Sequence, residues 1–413
     1  MSARPEDSAT RIAFVVETAR RLHQFGTAAP RLEMAITRMG LKLGLRVEVW
    51  SSPTAIIVTA CEQDTAGTAL AAPQTRVIRL PPGDIHLAHL CTVDHIADAV
   101  IAGTLDITAG FAQLRALDAP PPAAMTAWMA GAFGAAAAMV ATLLGGGAAD
   151  VVVAGLIGVL IGALTVASAR HPRVAVASEA IAAIIATLLA GATAAWITPL
   201  SVKITVVSGL IVLMPGLALT NAVREISTQH LVSGTARLAG ALASLLKLTF
   251  GALAGAQILA VLGWAPAWPA PAPLPDWAQV PALLIGSAAF VVLFQARWRD
   301  APLVMAAAVA GYLSTRLGSG LYGPAFGVFV GGLMIGALSN LYARYRGRPG
   351  ALVREPGIIL LVPGAVGFRS VSLLLERDVH IGVDAGLLLV SLLVALVAGL
   401  LFGDLLVGPR RSL

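Results

Sequence analysis

Two apolar segments that lie 148 residues apart carry nearly the same eight residues, GLIVLMPG at Gly209–Gly216 and GIILLVPG at Gly357–Gly364. Five of the eight positions are identical, including the Pro-Gly that closes each segment. A proline inside a helix frees backbone carbonyls, and the glycine after it lets the chain turn or approach a neighbour closely. In lipid such a break is tolerated only where protein or a water-filled cavity covers the exposed groups. A matched pair of breaks therefore indicates the binding site of a membrane transporter.

Charge is distributed unevenly along the chain. The 413 residues are 57% hydrophobic and 12% charged, with a mean hydropathy of +0.84, whereas a soluble domain carries about 25% charged residues. Residues 1–118 hold 11 Lys/Arg and 12 Asp/Glu, and residues 119–413 hold 17 and 10. This division predicts a soluble domain followed by a membrane region. Because the surplus positive charge lies in short loops between apolar runs, we expect a lipid bilayer and no nucleic acid as partner.

Ten apolar spans can be drawn, each of about 15–25 residues and long enough to cross a bilayer. The predicted fold class is a mostly α, polytopic membrane protein of two five-helix halves, with a small cytoplasmic α+β domain at the N-terminus. The predicted domains are an α+β domain at 1–118, a first half at 119–265, an external Pro/Trp-rich linker at 266–279 and a second half at 280–413. The spans are drawn at 122–144, 151–168, 174–198, 204–220, 238–263, 280–296, 301–316, 321–341, 356–372 and 384–406.

The positions of the arginines predict the orientation. With the N-terminus inside, twelve arginines fall in inner loops and the C-terminal tail and four Lys/Arg in outer loops, a positive-inside bias. Glu6 and Asp7 stand where a signal peptide would need apolar residues, so we expect no cleaved leader. Five spans per half would insert the second half upside down relative to the first. The two octets would then lie in oppositely directed spans of an inverted repeat.

The first 118 residues have the pattern of an α+β domain. Helical periodicity covers 10–25, 30–43, 84–102 and 106–117, and Asp106 is a candidate N-cap. Residues 46–51, 54–60 and 77–80 are rich in β-branched residues and predict three strands.

The order of these pieces resembles the threonine/serine exporter family of bacterial inner-membrane proteins. The resemblance rests on the run from Leu22 to Glu33, on Leu43-Gly44-Leu45 and Pro53-Thr54 before successive strands, and on the Pro-Gly spans. It implies a proton-motive-force-driven exporter of small hydroxy amino acids, in the cell inner membrane, with the soluble domain and both termini in the cytoplasm. Some relatives divide these parts between two chains, whereas here all ten spans lie in one.

A zwitterionic amino acid needs a donor for its carboxylate and an acceptor for its ammonium, and broken helices offer unpaired amides and carbonyls. Arg369 lies 148 residues after Asn221 and could hold a carboxylate, although both are also typical of helix-end polar residues. The predicted substrate-binding residues are Pro215, Gly216, Asn221, Pro363, Gly364 and Arg369.

Charges inside apolar spans indicate function or a structural ion pair, because burying a charge in lipid costs a few kcal/mol. Glu179 in the third span and Lys247 in the fifth are the candidates for proton coupling. Asp404, near the inner end of the last span, is interpreted as an interfacial residue.

One cluster in the soluble domain suggests enzyme chemistry, but its spacing argues against a single metal site, because the side chains point to different helix faces. Its members are His86, His89, Cys91, Asp94 and His95. An acid/base group could form from Glu17, His23 and Glu33 if the first two helices pair. It is disfavoured, because Glu17 and His23 do not lie well on one face of their helix. No nucleophile–base pair and no G-x-x-x-x-G-K-[ST] motif occurs. We therefore predict a transporter with no enzyme activity, no metal and no cofactor.

Three alternatives stay open at this point. The cargo could be a small (di)carboxylate, or the soluble domain could serve a membrane-anchored hydrolase or a sensor. A homodimer is possible.

Overall fold

The computed structural model describes residues 8–62, 72–118, 123–168, 171–376 and 378–409. Four of the arginines used for the predicted orientation, Arg170, Arg377, Arg410 and Arg411, lie outside these residues, as do the prolines at 120–122. The orientation and the predicted domain boundaries therefore stay predictions.

The described residues of the range 8–118, called the N-terminal region below, form four helices and one small sheet. The strands β1 (Leu45–Ser52), β2 (Ala55–Glu62) and β3 (Gln74–Arg79) pair antiparallel in the order β1-β2-β3. The helices are α1 (Ser8–Gln24), α2 (Ala29–Lys42), α3 (Leu87–Ile101) and α4 (Ile107–Ala116). All seven elements lie within a few residues of their predicted positions, because amphipathic periodicity locates helices and strands well.

Local capping fixes the ends of two of these helices. Asp106 accepts hydrogen bonds from the backbone N–H of Thr108 (2.9 Å) and Ala109 (3.2 Å), which confirms it as the N-cap of α4. His86 caps α3, since its Nδ1 accepts from the N–H of His89 at 3.2 Å. The ring of His86 stacks on that of His89 with centroids 3.6 Å apart.

In the described residues after the N-terminal region, twelve further α-helices follow, and two pairs of them are bent. The pair α8/α9 bends by 51° and the pair α14/α15 by 40°. The helices are α5 (Ala123–Leu143), α6 (Ala148–Ser168), α7 (Pro172–Trp196), α8 (Val202–Gly209), α9 (Gly216–Ser227), α10 (Leu231–Val261), α11 (Gln279–Leu293), α12 (Ala301–Tyr322), α13 (Pro324–Arg346), α14 (Ala351–Ile359), α15 (Gly364–Leu375) and α16 (Val379–Leu406).

Among the described residues, seven of these helices are long and apolar enough to cross a membrane, or nine spans if each bent pair is one. The ten predicted spans correspond to ten helices or bent pairs, but α12 is not among the nine. The predicted count of ten is therefore not confirmed. The protein is mostly helical, with its one described sheet near the N-terminus.

Two series of helices, α5–α10 and α11–α16, have matching contacts in the same order. Helix α7 packs on α10 as α13 packs on α16, and α9 packs on α10 as α15 packs on α16. Likewise α6 contacts α8 as α12 contacts α14. Each helix α9 and α15 has 12 residues and follows a Pro-Gly break, so the two octets occupy matching places in the two series.

Two buried aspartates tie the second helix of each series to the start of the broken segment. Asp150, 1% exposed, accepts from the N–H of Ser201 (2.7 Å) and from Thr205 Oγ1 (3.0 Å), just before and within α8. Asp300, at the start of α12, accepts two hydrogen bonds from Arg348, at 2.7 and 2.8 Å, just before α14. These interactions satisfy charges that would otherwise be costly to bury.

The N-terminal region packs directly on the ends of the long helices. The first N–H groups of α3, at Leu87 and Ala88, donate to the carbonyls of Phe294 (2.9 Å) and Gln295 (3.1 Å) after α11. Glu33 on α2 pairs with His230, just before α10, at 3.3 Å. Because the orphan amides of one helix meet the orphan carbonyls of another, both ends are satisfied together.

Replacing His86 should flatten the acid sensitivity of the N-terminal region. Burial and the neighbouring His89 lower the pKa of His86 to about 4, whereas an unfolded histidine titrates near 6.5. Between these values the unfolded chain binds more protons, so the free energy of unfolding falls as pH falls from 7 towards 4. In His86→Asn the side-chain oxygen can still accept the capping hydrogen bond, but the imidazole that binds a proton is gone. We expect its melting temperature in detergent to drop less between pH 7.5 and pH 5 than that of the wild type.

The control for this experiment is His95→Asn, because His95 lies on the same helix and is exposed. This variant should keep the wild-type pH dependence. An unchanged pH dependence in His86→Asn would contradict the assignment.

Asp150→Asn should destabilise the helical part of the protein. The carboxylate accepts from three donors, including the N–H of Gly147 at 2.9 Å, and a carboxamide offers one oxygen and an NH₂ that faces donors. The loss should be about 2–3 kcal/mol, since it leaves buried polar groups unpaired. Thermal melting in detergent measures it, with exposed Asp276→Asn as the control. Equal melting temperatures of the two variants would exclude this role.

Candidate functional site

The two Pro-Gly breaks have the same local geometry. Pro215 has φ −79° and ψ 43°, and Pro363 has φ −83° and ψ 43°. The N–H of Gly216 donates to Met214 O (2.8 Å), as that of Gly364 donates to Val362 O (3.0 Å). The Pro-Gly that the two octets share thus has the same backbone conformation at both sites.

The two breaks also touch each other. A Cβ on Gly216 would lie 2.3 Å from Val362 Cγ1 and 3.4 Å from the Cα of Gly364. A Cβ on Gly364 would lie 3.3 Å from the Cα of Gly216. Only glycine permits this approach without displacing a neighbour. The structure therefore brings Gly216 and Gly364, each of which follows its proline, into contact. The role of Pro215, Gly216, Pro363 and Gly364 in substrate binding stays a prediction.

The contact places two helix N-termini together. Helices α9 and α15 begin at Gly216 and Gly364, and each adds a partial positive charge there. In the described part of the chain, the N–H groups of Ala218 and Val366 donate no hydrogen bond. Unpaired amides at a helix N-terminus are the groups that bind carboxylates.

Asn221 and Arg369, which are equivalent by sequence offset, lie in different surroundings. Asn221 lines a cavity between α9 and the N-terminal region. Arg369 is exposed and is not among the residues that line this cavity. Among the described residues, no hydrogen bond joins these two side chains, and they do not line the same cavity.

Two neighbouring cavities lie between the broken helices and the N-terminal region, with volumes of about 60 Å³ and about 220 Å³. Arg31 and Ala35 of α2, Arg224 of α9 and Arg354 of α14 line both. The smaller cavity is also lined by Asp94 and Glu355, and the larger by Arg38, Asn340 and Asp404.

A network of long polar contacts borders these cavities. Arg354 is 5% exposed, and its guanidinium lies 3.4 Å from Asn340 Oδ1 and 3.5 Å from Asp404 Oδ1. Arg224 lies 3.5 Å from Asp404 Oδ2. Asn340 donates to Asp404 Oδ1 at 2.7 Å. Asp404, interpreted from sequence as an interfacial residue, is thus the acceptor for two arginines from the two broken segments.

Sequence reasoning missed three charged residues here. Arg354 and Glu355 are separated from the second octet by Pro356 alone, and the span drawn at 356–372 left them in a loop, whereas α14 begins at Ala351. Glu225 was missed because the first broken span was drawn to end at residue 220, whereas α9 continues to Ser227. Charges beside an apolar octet were the signal that could have found them.

Glu225 is fully buried and connects three parts of the protein. Its carboxylate accepts from Arg237 (3.0 and 3.1 Å) and Ser233 (2.9 Å) on α10. It also accepts from the N–H of Ala29, at the start of α2, at 3.2 Å. This carboxylate therefore joins α9 and α10 to the N-terminal region.

The two candidates for proton coupling form an ion pair. Lys247 Nζ contacts Glu179 Oε2, and Ser244 Oγ donates to Glu179 Oε1 at 2.8 Å. The pair joins α7 to α10, and the Lys247 side chain is 41% exposed. None of the described contacts of this pair reaches the Pro-Gly residues.

The histidine and cysteine cluster of α3 is divided among different partners. His86 and His89 stack on each other, His95 is exposed, and Cys91 Sγ lies 3.7 Å from Arg348. In the described residues, no group of three or more His, Cys, Asp or Glu side chains could hold a metal ion.

Glu17, His23 and Glu33 are also separate. Glu17 pairs with Arg21 at 2.6 Å, and Glu33 accepts from the N–H of Ser51 at 2.8 Å. His23 Nε2 lies 3.1 Å from Pro81 O, and burial lowers the pKa of His23. These side chains form no shared acid/base group.

Comparisons with known proteins cover most of the chain. Residues 13–259 match the family described as "Putative threonine/serine exporter", and residues 279–406 match "Threonine/Serine exporter, ThrE". No solved structure matches the chain.

A curated relative is "Pheromone-regulated membrane protein 10" of Eremothecium gossypii, which is 29% identical over 180 residues. This match covers 41% of the present chain and 23% of the relative, so the chain spans about a quarter of that protein's length.

The family matches and the long apolar helices agree with each other. They describe a multi-pass membrane protein, and the family consists of transporters of small amino acids. The two matched ranges together extend from residue 13 to residue 406, on both sides of the linker before α11. The chain belongs to the threonine/serine exporter family.

Proposed function

We propose that this chain exports threonine and serine across the bacterial inner membrane as a secondary active transporter driven by the proton motive force. The N-terminal region and both termini lie in the cytoplasm. The observation that carries the proposal is the contact between the two Pro-Gly breaks, which joins two helix N-termini with unpaired amides. Such a junction suits the carboxylate that every amino acid carries.

Ten spans in two inverted halves are part of this proposal. Helix α12 has 22 residues, a sufficient length for a tenth span. Five spans per half reverse the direction of the second half. The matching contacts of α7 with α10 and of α13 with α16 support the internal repeat.

The proposed mechanism uses the break contact as the central site. In the conformation described above, Gly216 and Gly364 are packed too closely for a ligand between them. Substrate therefore binds beside the glycines, where the amides of Ala218 and Val366 receive its carboxylate. Movement of one half against the other about this contact exposes the site to alternate sides.

Protons enter the mechanism through the ion pair of Glu179 and Lys247. Protonation of Glu179 removes the charge that holds Lys247, so the contact between α7 and α10 weakens when a proton binds. Arg369, exposed on α15, is proposed to attract the carboxylate at the opposite end of the pathway. A homodimer is the proposed assembly.

Counterflow in proteoliposomes tests the function. Labelled serine, threonine and succinate are offered separately, with and without a pH gradient. We expect serine and threonine to move, faster with the gradient. Movement of succinate alone would identify a dicarboxylate exporter, and no gradient-dependent movement of any of the three would refute the proposal.

Gly216→Ala should slow transport by about tenfold or more. The added methyl group meets Val362 at 2.3 Å, and overpacking of this kind costs about 1–3 kcal/mol. Gly240→Ala on α10 is the matched control, because a Cβ there meets nothing within 4 Å. Both variants are compared by initial rate of serine counterflow at equal amounts of folded protein. Equal rates would show that the close contact is not needed.

Glu179→Gln should separate exchange from proton coupling. The amide keeps an acceptor for Ser244 but carries no titratable charge. We expect serine counterflow to continue while its acceleration by a pH gradient is lost. Exposed Asp276→Asn is the control and should keep the acceleration. A normal response of Glu179→Gln to the gradient would remove Glu179 from the coupling mechanism.

A further inference from the structure

The cavities beside the N-terminal region have the charge pattern of a site for a small zwitterion. In the described part of the chain, four arginines and three carboxylates line the two cavities. The arginines are Arg31, Arg38, Arg224 and Arg354, and the carboxylates are Asp94, Glu355 and Asp404. The excess of one positive charge favours a ligand with a carboxylate, and the carboxylates favour one that also carries an ammonium.

Several of these groups have unused hydrogen-bonding capacity. Arg224 Nε and Glu355 Oε2 are buried and have no hydrogen-bond partner. Arg31 lines both cavities, and burial, followed by the charge of Arg354, lowers its pKa. A buried donor and a buried acceptor left unpaired are costly, and a ligand that pairs with both recovers that cost.

The larger cavity is large enough for a small ligand, and the smaller cavity lies near the Pro-Gly contact. An engineered cavity of about 150 Å³ admits benzene, and the larger cavity here has about 220 Å³. Asn221, which lines the smaller cavity, follows Gly216 by five residues on α9, a distance of roughly 7.5 Å along a helix axis. The cavities therefore lie on the flank of the Pro-Gly contact that faces the N-terminal region.

We propose that these cavities form an access site that binds the amino-acid substrate before it reaches the Pro-Gly contact. Arg354 and Arg224 hold the carboxylate, and Glu355 holds the ammonium. Arg31 and Asp94, from α2 and α3, make the N-terminal region a wall of this site. The substrate class rests on the proposed function, but the site itself is tested separately from transport.

Cysteine protection tests the site directly. Met34 on α2 lines the larger cavity and is half-buried, and Met34→Cys is labelled with a maleimide in detergent. Threonine or serine at about ten times its dissociation constant should slow the labelling about tenfold. Lys42→Cys, on the same helix but exposed, is the control and should show no protection. The two native cysteines are buried, and the wild type measures their background.

A second variant assigns the protection to the proposed residues. Glu355→Gln removes the charge without breaking a hydrogen bond of Oε2, and we expect the protection of Met34→Cys by threonine to be lost in this background. Exposed Arg346→Gln should retain it. Absence of protection, protection by succinate alone, or protection that persists in Glu355→Gln would overturn the site.

The transport assay keeps this result distinct from that of the proposed function. Protection without counterflow would refute export and leave the site in place. Counterflow of serine without protection would refute the site and leave export in place.

Discussion

The arrangement of the helices depends on one contact, the approach of Gly216 and Gly364 without side chains between them. A break in a membrane helix exposes backbone groups, and in lipid these must be covered by protein or by a water-filled cavity. Here each break covers the other. The bent pairs α8/α9 and α14/α15 thus meet at their breaks.

Two buried aspartates and one buried glutamate support this contact from a distance. Asp150 and Asp300 each fix the start of a broken segment to the second helix of its series. Glu225 fixes the end of α9 to α10 and to the N-terminal region. Carboxylates perform this function because each can accept several hydrogen bonds. The N-terminal region is therefore part of the structure that holds the broken helices.

The charged residues that line the two cavities beside this contact could be predicted only in part. The pattern of the sequence located Asn221 within five residues of a break, and Asn221 does line a cavity. It left Arg354, Glu355 and Asp404 as loop or interfacial residues. Membrane spans are drawn from hydropathy averaged over a window of residues. The charged pair Arg354 and Glu355, just before the second octet, lowers that average and therefore falls outside the drawn span. Their approach depends on α14 and α16 meeting at α13, which no local pattern records.

The sequence by itself determined the elements of this protein: the long apolar helices, the small sheet, the N-cap of α4 and the two Pro-Gly breaks. Each of these follows from periodicity or from the backbone restrictions of proline and glycine, which act over a few residues. Only the tertiary structure decided which residues meet. It paired Glu179 with Lys247, placed Asn221 at a cavity that Arg369 does not line, and stacked His86 on His89 while His95 stays exposed. Such contacts are fixed by the packing of helices that are far apart in the chain, and side-chain type alone does not encode them.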